Sequence, residues 1–373
     1  MLDQLPFTRI VRELPSTVPF VPPEAMERER GRRLRVRLGA NESSFGISPR
    51  AQEAMCAAVG EIFWYNDPEG YELREGLAQV HGVSLEEVCL GSGIDDLLDL
   101  CVRLFVEPGD PVVTSLGAYP TFNYHVAGHG GVLHEVPYMD DREDLGALLE
   151  AARRLEPRLV YVANPDNPMG TWNRGGELRE FIEQLPENCV LVLDEAYLEF
   201  APEEALLPLD TERRNVVRVR TFSKAHGMAG ARIGYAVAHR EVMAAFGKVR
   251  NHFGVNRVAQ AGALASLRDG GFVRNVVRQV EEGRRDYMAL AEELGLGAIP
   301  SGTNFVAFDI GDGDRARQLM GLLLERDVFV RMPGVAPLYR CIRVTVGTVE
   351  ERSDFADALR DVLPRLSEKE VRS

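Results

Sequence analysis

Between about residues 75 and 260, short apolar runs alternate with stretches whose apolar positions recur at helical spacing. The runs are VCL, PVVTS, LVYVAN, VLVLDEA, VVRVRTF and GYAVA. Several are continuous in Val and Leu rather than alternating with polar residues, as in strands buried on both faces. The pattern predicts an α/β fold: a large domain with a mostly parallel sheet flanked by helices. In such sheets ligands gather at the carboxyl ends of the strands.

The pattern changes on both sides of this region. Residues 1–40 are rich in Pro, Arg and Glu without a strong period, predicting an arm followed by an extended segment, LRVRLGANE. Beyond Gly270 come a long helical stretch, FVRNVVRQVEEGRRDYMALAEEL, the strand-like TNFVAFDI, a helix over 314–326, the strand-like VFVRM and CIRVTVG, and an amphipathic final helix. This order suits a smaller α+β domain. The expected division is a large domain over 44–265 and a small one over 266–373, joined by residues 1–43.

Composition narrows the function classes. The 373 residues are 45% hydrophobic and 27% charged, enough for a large core, and the formal net charge of −14 weighs against nucleic-acid or anionic-membrane partners. No apolar run approaches the ~18 residues of a membrane span. The start, MLDQLPFTRIVRELP, lacks the basic head and apolar segment of a secretory signal. Five scattered cysteines, Cys56, Cys89, Cys101, Cys189 and Cys341, read as reduced thiols of a cytoplasmic protein. His125 and His129 are four apart with His134 following, but no glutamate stands where zinc hydrolases use one. They read as a helix surface, with no metal expected. The basic run RERGRR lacks interleaved aromatics and reads as a solvated or interface face.

Five segments carry candidate chemistry: GSGIDDLL (91–98), ANPDNPMG (163–170), DEAYLEF (194–200), TFSKAHGMAGARIGY (221–235) and IRVTVGT (342–348). All but the glycine-rich fourth put polar groups just past a predicted buried strand. The first is a glycine turn into a helix, where the amides of Gly93, Ile94 and Asp95 could converge on an anion. The fourth sets Ser223 beside Lys224, with Arg232 eight residues on and glycines that let backbone approach a ligand. A solvated lysine in a glycine-rich turn is the plainer reading of that stretch alone.

In order and spacing, these segments resemble the pyridoxal-phosphate aminotransferases of fold type I, and within them the histidinol-phosphate aminotransferase family. The resemblance runs from ANESSFG at 40 to GTVEE near 350 and includes LREGLAQVHGV, RLFVEPGD, VNRVAQ and TNFV. It implies pyridoxal 5'-phosphate as cofactor, with Lys224 holding its aldehyde and moving the proton. Desolvation and a neighbouring cation, Arg232, would lower the lysine's pKa for that task. It further implies Asp194 beside the pyridine nitrogen, Tyr197 and Asn167 on the phenolate oxygen, Ser223 and Arg232 at the phosphate, and Tyr119 stacked on the ring. Tyr65, in WYNDPEGY, would reach the neighbouring subunit's cofactor phosphate, making the active unit a homodimer. On the substrate side the resemblance implies Asn41, with Arg343 gripping an acidic group and Arg331 assisting.

Three departures stand out, of which the second and third bear on the substrate. Met169 stands where the family usually has threonine, Phe20 in VPFVPPE where it often has tyrosine, and RNHFGVN replaces a Pro-Pro-Tyr-Asn-like segment. The expected reaction moves an amino group between an amino compound, histidinol phosphate or an aromatic amino acid, and a 2-oxo acid such as 2-oxoglutarate. Two alternatives stand beside it: a threonine-phosphate-decarboxylase-like lyase on the same fold, and a non-catalytic regulator that kept the cofactor.

Overall fold

The computed structural model describes residues 5–15 and 22–366. Its first strand, β1 (Val36–Arg37), pairs in parallel with a segment nearly three hundred residues away, Val36 lying opposite Val328. The chain then builds a seven-stranded sheet from β2 (Val88–Gly91), β3 (Pro111–Ser115), β4 (Val132–Val136), β5 (Leu159–Ala163), β6 (Val190–Asp194), β7 (Val216–Thr221) and β8 (Gly234–Ala238). The spatial order is β2-β8-β7-β6-β5-β3-β4, and β8 alone runs against its neighbours.

The continuous apolar runs are explained by burial on both faces: every residue of β5, β7 and β8 is buried. Tyr161, Val192 and Val219 pack with the helices Ile94–Phe105, Pro120–Gly128 and Arg240–Val249 on one face. Val160, Val162 and Leu193 point the other way, onto the helices Leu145–Leu155 and Gly175–Gln184. All six strands expected from the apolar runs are present. β4 was not among them, because VLHEV is a half-exposed edge strand whose polar residues break the apolar run. His134 therefore lies on a strand. His125 lies in the helix Pro120–Gly128 and His129 caps it, and both rings turn onto Asp99, at 3.2 and 3.0 Å. Among the described residues no cluster suited to a metal ion occurs.

The later part of the chain forms a three-stranded antiparallel sheet of β9 (Gly297–Ile299), β10 (Phe305–Asp309) and β12 (Cys341–Thr345), while β11 (Val328–Phe329) is the partner of β1. The helices Gly270–Glu293, Gly313–Glu325 and Val349–Val362 cover it. The last of these starts at a reciprocal cap: Thr348 Oγ1 accepts from Glu351 N–H, and Glu351 accepts from Thr348 N–H. The strand read from VFVRM shortens to Val328–Phe329, and the three-residue β9 was not anticipated. One hydrophobic cluster joins the two sheets, since Tyr197, Phe200 and Ala225 from the seven-stranded part pack with Val36, Phe305 and Val344. That junction lies where β6 and β7 end.

Candidate active site

Asp194 is the last residue of β6 and is buried. Two donors hold its carboxylate: Tyr161 OH at 2.8 Å and the N–H of Ala196 at 2.9 Å. Burial pushes its pKa up to about 6 against those two hydrogen bonds, with Asp95 and Glu195 adding to the rise. An acid of this kind is completed by a cation beside it.

From the end of β7 the chain turns through Ser223 and Lys224. Thr221 Oγ1 accepts from Ser223 N–H at 3.0 Å and donates to Ser223 Oγ at 2.9 Å, which sets the turn. Gly227 closes it with φ +71, and a Cβ there would overlap the Gly46 carbonyl. The Lys224 ammonium donates to Asn41 O at 3.0 Å and lies 5.6 Å from the centre of the Tyr197 ring. Desolvation, and after it the Arg343 guanidinium, bring its pKa down to about 8. Arg232, the cation expected to do this, contributes less than Arg343.

Between β2 and the helix Ile94–Phe105, Gly93 adopts φ +89 and ψ 175, a conformation open to glycine alone. A Cβ there would overlap the Arg232 guanidinium, so the arginine reaches across the turn because residue 93 has no side chain. Arg232 itself is left-handed, at φ +58, and faces the Asp95 carboxylate at 3.6 Å. Asp95 also accepts from Tyr119 OH at 2.8 Å. The expectation of three amides for an anion needs a correction: Gly93 N–H donates to Gly91 O within the turn. The helix start leaves the N–H groups of Ile94 and Asp95 without intrahelical partners.

Asn41 ties the two sheets together. Left-handed at φ +54 and buried, it donates from Nδ2 to Tyr197 OH at 2.9 Å and shares two hydrogen bonds with Thr345 Oγ1. Asn304 Nδ2 joins Lys224 on its carbonyl. Arg343, from β12, hydrogen-bonds Asn167 Oδ1 and lies 5.2 Å above the Phe305 ring. Its Nε is buried without a hydrogen-bond partner among the described residues. Arg331 pairs with Arg343 through the backbone and covers the Phe329 ring.

The fold thus brings together Asn41, Gly93, Ile94, Asp95, Tyr119, Asn167, Asp194, Tyr197, Ser223, Lys224, Arg232, Arg331 and Arg343. Tyr65 is elsewhere: 81% exposed, it packs on Phe253 at 4.9 Å, and its carbonyl accepts from Arg257. Phe20 lies outside the described residues. Sequence reasoning missed Tyr161, Asn304 and Thr345 as supports of Asp194 and Asn41. The one trace of Tyr161 was a phenol inside the apolar run LVYVAN, where a buried hydroxyl requires a partner.

The donor set fits pyridoxal phosphate. A buried carboxylate without a cation suits a protonated ring nitrogen; a helix start and an arginine suit a phosphate; an amine of lowered pKa suits an aldehyde. The aminotransferase class I and II family model matches residues 35–359. Histidinol-phosphate aminotransferase 2 of Carboxydothermus hydrogenoformans is 37% identical over 361 residues, covering 95% of this chain and 98% of that protein. The crystal structure of histidinol-phosphate aminotransferase from Sinorhizobium meliloti in complex with pyridoxal-5'-phosphate superposes with a TM-score of 0.94 at 48% identity, over 97% of this chain and 98% of that one. L-threonine-O-3-phosphate decarboxylase from Porphyromonas gingivalis, at 22% identity and TM-score 0.74 over 88% of this chain and 99% of that one, shares the fold alone. With the family model and these relatives spanning almost the whole chain, the protein belongs to the class I and II aminotransferases, in their histidinol-phosphate aminotransferase branch, and is a pyridoxal-phosphate-dependent enzyme.

Proposed function

We propose that this aminotransferase takes an amino group from a compound with an anionic end and a ring or apolar side chain, histidinol phosphate or an aromatic amino acid, and passes it to a 2-oxo acid such as 2-oxoglutarate. The reading rests on Lys224, whose amine lies against Asn41 and Tyr197 at the junction of the two sheets and is brought to a pKa of about 8 by burial and the charge of Arg343. When bound, pyridoxal phosphate supplies the aldehyde that takes up the amino group and the ring that accepts electrons from the substrate α-carbon. Lys224 Nζ would hold that aldehyde and, as an amine of lowered pKa, would carry the proton between the substrate α-carbon and the cofactor's C4′. Asp194 keeps the ring nitrogen protonated. Tyr197 and Asn167 would orient the phenolate oxygen, and Tyr119 would hold the ring. Ser223, Arg232 and the amides of Ile94 and Asp95 hold the phosphate. Arg343, with Arg331 beside it, grips the anionic end of each substrate in turn, and Asn41 lines the same space.

The working unit is a homodimer in the cytoplasm. The exposed apolar residues Ile62, Phe63, Trp64, Tyr65 and Phe253, four of them aromatic, support it as a surface a second copy could cover. Tyr65 would enter the second subunit's site from there. The chain divides into a large cofactor-binding unit, 44–265, and a small unit of 266–373 joined by 1–43. The lyase alternative has only the shared fold in its favour.

The test is a panel of amino compounds mixed singly with purified holoenzyme while the cofactor's visible absorbance is followed through one half-reaction. Histidinol phosphate or an aromatic amino acid should convert it fastest, without release of carbon dioxide. Carbon dioxide release would favour the lyase, and no conversion by any amino compound would contradict the proposal.

A further inference from the structure

Directly after Asp194, and buried with it, Glu195 joins two arginines of the adjacent strand. Arg218 Nε donates to its carboxylate at 3.0 Å, with Nη2 making a second bond, and Arg220 Nε donates at 2.8 Å. The two arginines flank Val219, which lies opposite Asp194 in the β6–β7 register and accepts from Glu195 N–H at 2.9 Å. Beyond the pair, Arg218 donates to Leu207 O and Pro208 O. Arg220 Nη1 faces His81 Nδ1 at 3.3 Å, and His81 Nε2 meets Tyr235 OH at 2.8 Å. Tyr235 stands opposite Arg220 on β8, next to Gly234, whose backbone packs against Gly93 and Ile94.

The network therefore ties the segment ending at Asp194 to the strand leading into Lys224 and to the strand behind the Gly93 turn. Three buried ions are a costly way to fill this space, because apolar side chains of similar volume would be as stable or more so. What a forked, directional set of charge-assisted bonds adds is a fixed register.

We infer that Glu195 is a positioning residue of the transamination site: gripped by Arg218 and Arg220, its carboxylate sets the separation and orientation of Asp194 and Lys224. None of the three touches the Lys224 amine or the Asp194 carboxylate through a hydrogen bond. They act through the strands that carry those groups. The inference rests on the roles proposed for Lys224 and Asp194.

The experiment compares wild type, Glu195→Gln, Glu195→Asp, Arg218→Lys and Lys224→Ala. Thermal unfolding reports the fold, the pH titration of visible absorbance reports the bound cofactor, and the pH dependence of Lys224 labelling is read in cofactor-free protein. Folded Glu195→Gln should shift both pH profiles and lose roughly 10- to 100-fold in kcat with KM little changed, as displaced catalytic groups do. Glu195→Asp, which keeps the charge, should recover part of each. A lowered melting temperature with wild-type pH profiles and wild-type kcat per folded holoenzyme would overturn the inference, leaving Glu195 a structural ion only. If Glu195→Gln does not fold, Arg218→Lys is decisive: it keeps the charge and loses the fork, and wild-type profiles there would overturn the inference equally. Should Lys224→Ala itself keep the wild-type absorbance titration, the underlying reading of Lys224 fails, an outcome distinct from the failure of Glu195.

Discussion

Lys224 and Asp194 are both held away from their ordinary ionisation, in directions that favour the neutral form. Lys224 is brought to about 8 in the folded chain from an ordinary value of 10.5. Between those values the unfolded chain binds more protons than the folded one, so the lysine makes stability rise with pH across that window. Cofactor-free wild type should therefore gain melting temperature relative to Lys224→Ala between pH 8 and 10.5, as followed by thermal unfolding in a pH series. Parallel curves would mean the amine is not desolvated. For Asp194 the sensitive partner is Tyr161, whose hydroxyl donates to the carboxylate and opposes the effect of burial. Removing one hydrogen bond to a charged group costs about 1.5–3 kcal/mol, so Tyr161→Phe should raise the carboxyl titration of cofactor-free protein by roughly one to two pH units, measurable by carbon-13 NMR. The resemblance implies roles for Lys224 and Asp194, whereas the local sequence around Lys224 reads more plainly as a solvated turn. The supports around them could not be read, because Tyr161 meets Asp194, Asn304 and Thr345 meet Asn41, and Glu195 meets its arginines through strand pairing and the joining of two sheets.

The Gly93 turn is the element whose geometry most directly constrains the site. Its backbone is in a region open to glycine, and its missing side chain makes room for Arg232. Gly93→Ala would impose about 1–3 kcal/mol of backbone strain and displace the guanidinium. Cofactor affinity should fall by roughly tenfold or more, measured by equilibrium dialysis, while Gly230→Ala serves as a control because a Cβ there meets nothing within 4 Å. Equal affinity in the two variants would remove the turn from the phosphate site. At this scale the sequence was informative where strands were buried on both faces and silent where they were not. β4 is an edge strand with His134 and Glu135 in its middle, and β9 has three residues, so neither offers an apolar run to read. The Gly-Ser-Gly turn pointed to an anion site, but only the folded turn revealed that the first of its three expected amides is used internally.

Across the molecule, the exposed aromatic surface around Trp64 and Tyr65 lies outside the cluster of residues around Lys224, and a second copy of the chain would join the two. Mixing Tyr65→Phe with Lys224→Ala should then form hybrid dimers with one unaltered site each, so that roughly a quarter of all sites regain full composition after random exchange. Cofactor retention and turnover in the mixture should exceed the average of the parents. Exchange without recovery would place Tyr65 in its own subunit's site or outside the site.

Whether Lys224 is the amine on which this enzyme works can be read directly, because the chain contains three lysines: Lys224, Lys248 and Lys369. Borohydride reduction of the holoenzyme followed by peptide mass mapping fixes the cofactor to whichever amine carries it. The added mass should fall on the peptide containing Lys224 and vanish in Lys224→Ala, and its appearance on Lys248 or Lys369, or on none of the three, would contradict the assignment of Lys224.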